Sequence, residues 1–329
     1  MQALDLDVIV TRGDMVESTH RVMAAVVDRK GRLVASAGDP EQVTYWRSCA
    51  KPFQVMPLLE SGGFDDLPWE YDELALACAS HGGEPEHVAV VESMLQDLGR
   101  EEGDLVCGPH EPLSSRGARI ARESGIRITR LHNNCSGKHA GMLALAHTEG
   151  WPMDGYERPD HPVQLAAADR VARWTGVPAE KLVRATDGCG VVVFGLPLYN
   201  MAAAYARLAA AHDTRSEAGY RVLEAIRARP QLFGGTDRFD TVLLEESGGR
   251  IVPKVGAEGV HSVALLDAGL GLAIKATDGA ARAQYPAVLR ALQLLGALPD
   301  PLPTRLAEMA RRPVRNTRGE TVGWVGPAA

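Results

Sequence analysis

Ser48-Cys49-Ala50-Lys51-Pro52-Phe53 stands where the chain changes character, and its reading decides the fold. On its N-terminal side, residues 5–38 read as strand. Residues 8–10 begin one, and 22–36 fold back on themselves through Asp28-Arg29-Lys30-Gly31, a hairpin turn between Val26-Val27 and Leu33-Val34. On its C-terminal side, as far as about residue 237, apolar residues fall near helical spacing, most clearly over 85–98, 136–148, 161–175 and 198–211. Inside that part, 125–131 and 191–194 read as short extended segments. Strand character returns over 241–245, 250–255, 263–267 and 270–276, separated by Gly-rich turns; a helix is expected over 280–295 and a last strand over 314–325. This order predicts an α/β (α+β) protein with a mostly antiparallel sheet flanked by helices and a large helical insert. It would form one compact catalytic unit over 1–329, with a sheet lobe from 1–47 plus 238–329 and a helical lobe over about 48–237.

The same stretch carries chemistry. Lys and Arg together number 35, yet only six are lysines, and one of these closes the sole Ser-x-x-Lys of the chain. A lysine kept among so many arginines points to a task a guanidinium cannot perform, which is to lose a proton and act as a base. Three residues apart in a helical turn, Ser48 and Lys51 share a face and can share a proton. A helix N-terminus there would stabilise negative charge on the serine oxygen. Pro52 suits the first turn, whose amides lack intrahelical partners, whereas Pro57 should bend the helix further on. The plainer reading of the same four residues is an N-cap serine followed by a surface lysine.

Composition excludes several classes. A net charge of −7 with no Lys/Arg block argues against a nucleic-acid surface, which needs a basic face. No stretch approaches the ~20 apolar residues of a membrane span, and the first residues lack a basic start followed by an apolar core, so a cytoplasmic location is expected. Five widely spread cysteines, Cys49, Cys78, Cys107, Cys135 and Cys189, suit reduced thiols or metal ligands better than disulfides.

Three further clusters stand out. Ala79-Ser80-His81-Gly82-Gly83-Glu84-Pro85 places a second serine in a loop that opens a helix. His132-Asn133-Asn134-Cys135-Ser136-Gly137-Lys138-His139-Ala140-Gly141 crowds polar and metal-capable groups ahead of an apolar helix, although Asn and Ser are also ordinary capping residues. Ala185-Thr186-Asp187-Gly188-Cys189-Gly190 sets a cysteine between glycines at a turn; with Cys135 it could form a two-Cys metal site or a redox pair, though spacing alone does not specify zinc.

Together with Lys254-Val255-Gly256-Ala257-Glu258-Gly259, these blocks resemble, in order and over about residues 5–325, the zinc-containing Ser-Lys class of L-asparaginases, the thermolabile class 3 type. The resemblance implies a fold similar to serine β-lactamases and glutaminases, and hydrolysis of L-asparagine to L-aspartate and ammonia through a Ser48 acyl-enzyme. It makes Lys51 the base, Ser80 and Lys254 a second Ser-Lys pair, and Cys135, Lys138 and Cys189 ligands of a zinc ion. It also implies a homodimer. Lys275 is the alternative to Lys254, which is preferred because Gly-Ala-Glu-Gly follows it. Arg47, His139 and Asp187 are candidates for binding substrate, and each also has a structural reading. Arg238 and Asp240 could pair with each other or face the site. Two competing functions remain: a β-lactamase or transpeptidase-like acyl hydrolase, which would act outside the cytoplasm and for which a Ser-Asp-Asn motif is missing, and a non-enzymatic zinc or thiol sensor, which would leave Ser48, Lys51, Ser80 and Lys254 unused.

Overall fold

A six-stranded sheet forms from strands far apart in sequence, in the order Gln2–Ala3, Leu33–Ala37, Val22–Asp28, Leu270–Ala276, Val260–Leu265, Ile251–Val255. Every neighbour pair is antiparallel except the first, which is parallel. The chain is described by a computed structural model over residues 1–214 and 217–328. It divides into two compact units, one of Met1–Cys49, Leu196–Ala210 and Val242–Ala329, the other of Ala50–Gly195 and Ala211–Thr241. The architecture is mixed α/β, with antiparallel sheets and helices, as the element order predicts.

In the first unit, Ala24, Ala25, Val26 and Val27 are all buried, so the middle strand is covered on both faces rather than alternating. One cover is the start of helix Leu198–Thr214: a Cβ on Gly271 would fall 2.0 Å from the Ala202 carbonyl oxygen, so glycine lets helix and strand backbones touch. The other is helix Ala281–Leu294, which also packs against a second sheet of four strands ordered Arg312–Arg315, Thr321–Pro327, Val8–Arg12, Met15–His20. Each large aliphatic side chain buried in such a layer contributes about 1.5–3 kcal/mol against solvent.

In the second unit the central piece is helix Ser136–Thr148, buried without interruption from Ser136 to Ala146. A helix enclosed on all sides is apolar all round, which is why its sequence shows little amphipathic contrast. Helix Tyr71–Ala77 lies directly on it: a Cβ on Gly137 would sit 2.4 Å from the Leu76 carbonyl oxygen, and one on Gly141 3.2 Å from Ala77 Cβ. No helix among the described residues is long and apolar enough to cross a membrane.

Several expectations are corrected. Residues 241–245 are not a strand; Phe239–Glu246 is a helix, because Phe239, Val242 and Leu243 recur at helical spacing and bury together. Residues 125–131 are not an extended sheet segment; they are irregular and end in the 3-10 turn Arg130–His132, and none of the sheets among the described residues includes them. The last strand is instead a hairpin, Arg312–Arg315 with Thr321–Pro327, and helix Thr304–Ala310 precedes it. Pro57 does interrupt the first helix: Lys51–Gln54 stops and Met56–Glu60 starts anew with the proline in its first turn.

Candidate active site

Ser48 lies half-buried in the 3-10 turn Arg47–Ala50, which continues into helix Lys51–Gln54. Arg47 enters that turn at φ 54°, the left-handed region that a long side chain rarely occupies. Its neighbours pin the turn within the first unit. Trp46 is fully buried and donates its Nε1–H to Ser262 Oγ at 3.0 Å, and Tyr205 donates its hydroxyl to the Cys49 carbonyl at 2.8 Å. Cys49 Sγ lies 3.0 Å from the Lys254 carbonyl oxygen, and a Cβ on Gly256 would meet that sulfur at 3.0 Å. The segment around Ser48 is therefore packed directly against the strand that carries Lys254. Lys254 is 1% exposed and pairs in register with Ser262. Its Nζ donates to the Val255 carbonyl at 2.8 Å. Lys275 is only half-buried and donates to the Glu258 carbonyl in the turn beyond.

In the second unit Lys51 is also 1% exposed. Its Nζ donates to the carbonyls of Ala79 and Asn134 and to Ser80 Oγ, the last at 3.2 Å. Burial pushes the proton affinity of this amine down, and the nearby Lys138 charge pushes the same way against the two cysteines. Geometry thus joins the Ser-x-x-Lys lysine to the serine of the second motif.

The Ser80 loop is tightly held. His81 Nδ1 accepts from the Gly83 N–H at 3.2 Å and its Nε2 lies 2.9 Å from Ser136 Oγ, which donates onward to the Leu131 carbonyl. Burial, then the neighbouring His87, hold His81 well below its ordinary pKa, so it stays neutral. The ring stacks on His87 with centroids 5.0 Å apart. Gly83 has φ 70°, and a Cβ there would fall 2.9 Å from the His132 carbonyl oxygen, so the turn has room for glycine alone.

Cys135, Lys138 and Cys189 converge. Lys138 Nζ is 2.9 Å from Cys189 Sγ, and all three side chains are buried. A hydrogen bond from Cys135 lowers the Cys189 thiol, aided by the Lys138 charge, while the same bond and burial raise Cys135. Lys138 is raised: burial opposes its charge, but the sulfur charges outweigh burial. Among the described residues there is no group of three or more His, Cys, Asp or Glu side chains that could hold a metal. Two thiols and an amine turned on one point form a donor set that fits zinc, with sulfur dominating and a fourth position left over. Cys189 reaches this point from the tip of the hairpin formed by Val183–Thr186 and Val192–Pro197.

The remaining candidates divide. Asp187 sits half-exposed in that hairpin turn, its carboxylate accepting from the Gly188 N–H at 2.8 Å. His139 is fully buried, its Nδ1 2.6 Å from Tyr156 Oη, and burial pushes its pKa down to about 3. It lies within the packed helix rather than at an open surface. Asp240 is buried at the start of helix Phe239–Glu246 and Arg238 half-buried beside it. Sequence reading gave no role to Trp46, Tyr156, Arg116, Ser114 or Thr236, all of which hold these loops; of these, Trp46 stands two residues before Ser48 and Thr236 two before Arg238.

The chain has a mixed α/β architecture, and its family model marks it as a hydrolase. More narrowly, the chain belongs to the L-asparaginase II family, whose model matches residues 8–327. Among curated proteins, none matches it. Solved structures with likeness to it include a β-lactamase from Mycobacterium bovis, at 12% identity and a TM-score of 0.38 over 84% of this chain and 96% of that one. The protein Mglu aligns at 17% identity and a TM-score of 0.37 over 84% of this chain and 67% of that one. An octameric penicillin-binding protein homologue from Pyrococcus abyssi aligns at 13% identity and a TM-score of 0.35, over 84% and 73%.

Proposed function

We propose that this chain hydrolyses L-asparagine to L-aspartate and ammonia through an acyl-enzyme on Ser48, as a member of the zinc-containing Ser-Lys class of its family. The observation that carries the reading is the buried Lys51 amine, with lowered proton affinity and 3.2 Å from Ser80 Oγ, at the start of the helix that follows the 3-10 turn holding Ser48. Its family membership supports the amide substrate.

In this mechanism Ser48 Oγ attacks the side-chain amide carbon and Lys51 accepts the hydroxyl proton. The tetrahedral intermediate collapses, breaking the C–N bond, and the proton passes to the leaving nitrogen, so that ammonia departs. Water then adds to the acyl carbon with its proton taken by the same amine, and aspartate leaves as Ser48 regains its hydrogen. Ser80, bonded to Lys51, relays protons, with Lys254 as its partner lysine; the deep burial of Lys254, against the half-burial of Lys275, supports that choice. Cys135, Cys189 and Lys138 would hold zinc, which when bound supplies a fixed positive charge and clamps the Cys189 turn to the central helix. Arg47, Asp187 and His139 stand near these elements in sequence and are proposed to help bind or orient the substrate. The five buried free cysteines suit a reducing compartment, and we place the enzyme in the cytoplasm, as a homodimer.

The test is ammonia release from L-asparagine and, separately, L-glutamine, with Ser48→Ala as blank. Release from asparagine that disappears in the variant supports the reading. Release that persists in Ser48→Ala, or no release from either amide, overturns it.

A further inference from the structure

Glu84 is a buried carboxylate to which the mechanism gives no task. Its backbone N–H serves the cap of helix Pro85–Asp97 by donating to His87 Nδ1 at 3.1 Å. Its side chain shares in the same capping box with His87, yet it also reaches well beyond it. Oε1 accepts the Thr236 N–H at 2.7 Å, Oε2 accepts the Thr236 hydroxyl at 2.8 Å and the Arg116 guanidinium at 2.7 Å, and Ser114 adds a further bond. A helix cap needs none of these partners.

The bonds close on the loop that bears Ser80. A Cβ on Gly235 would lie 3.1 Å from Glu84 Oε1 and 3.2 Å from Gly82 Cα, so the 234–237 segment rests on the backbone of the 79–84 loop. On the other side Ser114 donates its N–H to the Gly82 carbonyl at 3.0 Å, and a Cβ on Gly82 would meet Ser114 Cβ at 2.7 Å. Carboxylate bonds to a backbone N–H and to a guanidinium are the strong, geometrically demanding kind. With one of each and two hydroxyl bonds meeting at one side chain, three separate stretches of chain are tied at a point four residues from Ser80.

We propose that Glu84 is a positioning residue for Ser80: it locks the 79–84 loop between Ser114 and the 234–237 segment and so fixes the contact between Ser80 Oγ and Lys51 Nζ. This rests on the Ser-Lys reading of the site. Proton transfer across a hydrogen bond falls steeply with misplacement, so a loosened loop acts on turnover more than on substrate binding.

The experiment compares wild type, Glu84→Gln, Thr236→Val and the pair Glu84→Gln with Arg116→Gln. In the pair, an amide facing an amide restores a donor opposite an acceptor. Steady-state ammonia release from L-asparagine is read together with the NMR signal of the Lys51 side chain, which six lysines make assignable through Lys51→Arg. In Glu84→Gln, kcat should fall at least about tenfold with KM changed less than about threefold. The Lys51 signal should move, and the pair should recover most of both. Thr236→Val, which removes one bond and is the fallback if Glu84→Gln fails to fold, should show a smaller change in the same direction. An unmoved Lys51 signal, or a lowered melting temperature with kcat intact, overturns the proposal and leaves Glu84 a structural cap. Should wild type release no ammonia, the Ser-Lys reading fails, and the Lys51 signal still decides whether Glu84 holds that contact.

Discussion

Lys51 shows how far one side chain's surroundings govern its chemistry. Fully enclosed, its amine meets two carbonyls and a hydroxyl, and burial lowers its proton affinity more than the neighbouring Cys135 and Cys189 raise it. Arginine cannot follow it there, because a guanidinium keeps its proton. Lys51→Arg should therefore lower kcat/KM by about 10³ while leaving the fold intact by circular dichroism; a variant with more than a tenth of wild-type activity would remove Lys51 from the base role. Cys189 meets a different test. Cys189→Ser keeps the size of the side chain but weakens the sulfur donor set, so elemental analysis should find zinc in the wild-type protein and little in the variant. Zinc lost with Ser48-dependent turnover retained would make the metal an accessory. At this scale the sequence was informative where partners stand close along the chain, as Ser48 and Lys51 do. Thr236 on Glu84 lies 152 residues away and leaves no local trace.

Elements were legible when their own residues carried the signal. Helix Ser136–Thr148 was foreseen with its bounds, since a capping cluster precedes an unbroken apolar run, and Leu270–Ala276 follows its strand pattern end to end. Strand Met15–His20, inside the stretch read as strand, was not told apart as an element of its own because it is an exposed edge strand with polar residues and no alternation to read. Helix Phe239–Glu246 was misread because its β-branched pair Thr241-Val242 and short apolar run suit either state, and only Phe239, just before that run, reveals the helical spacing. The close crossing of helices Tyr71–Ala77 and Ser136–Thr148 yields a sharper test. Alanine in place of Gly137 would gain about 1 kcal/mol of helix propensity. Its methyl, however, would press on the Leu76 backbone, a clash worth about 3 kcal/mol because neither helix axis can yield cheaply. Gly137→Ala should thus lower the melting temperature by several degrees; an unchanged or raised value would show that the helices can part.

At the scale of the whole molecule, the chain passes from one compact unit to the other at 49/50, 195/196, 210/211 and 241/242, so neither unit is a continuous stretch of sequence. That interleaving explains why Lys254 was recognised by resemblance and not by spacing: no pattern within its own strand announces a partner near residue 48. Across the described residues only three that are not glycine have left-handed backbone, Arg47, Asp237 and Glu258. Each falls close to a residue singled out in the sequence: Arg47 beside Ser48, Asp237 beside Arg238 and Glu258 four residues after Lys254. Glycine would sit in any of these places without the 1–2 kcal/mol or so that a Cβ adds. Exchanging all three for glycine should raise the melting temperature and depress kcat/KM, whereas a gain or no change in both would mean the side chains are idle. The molecule then sits at a compromise between durability and turnover: it forgoes a sturdier backbone at three loops in order to keep two carboxylates and a guanidinium where they are.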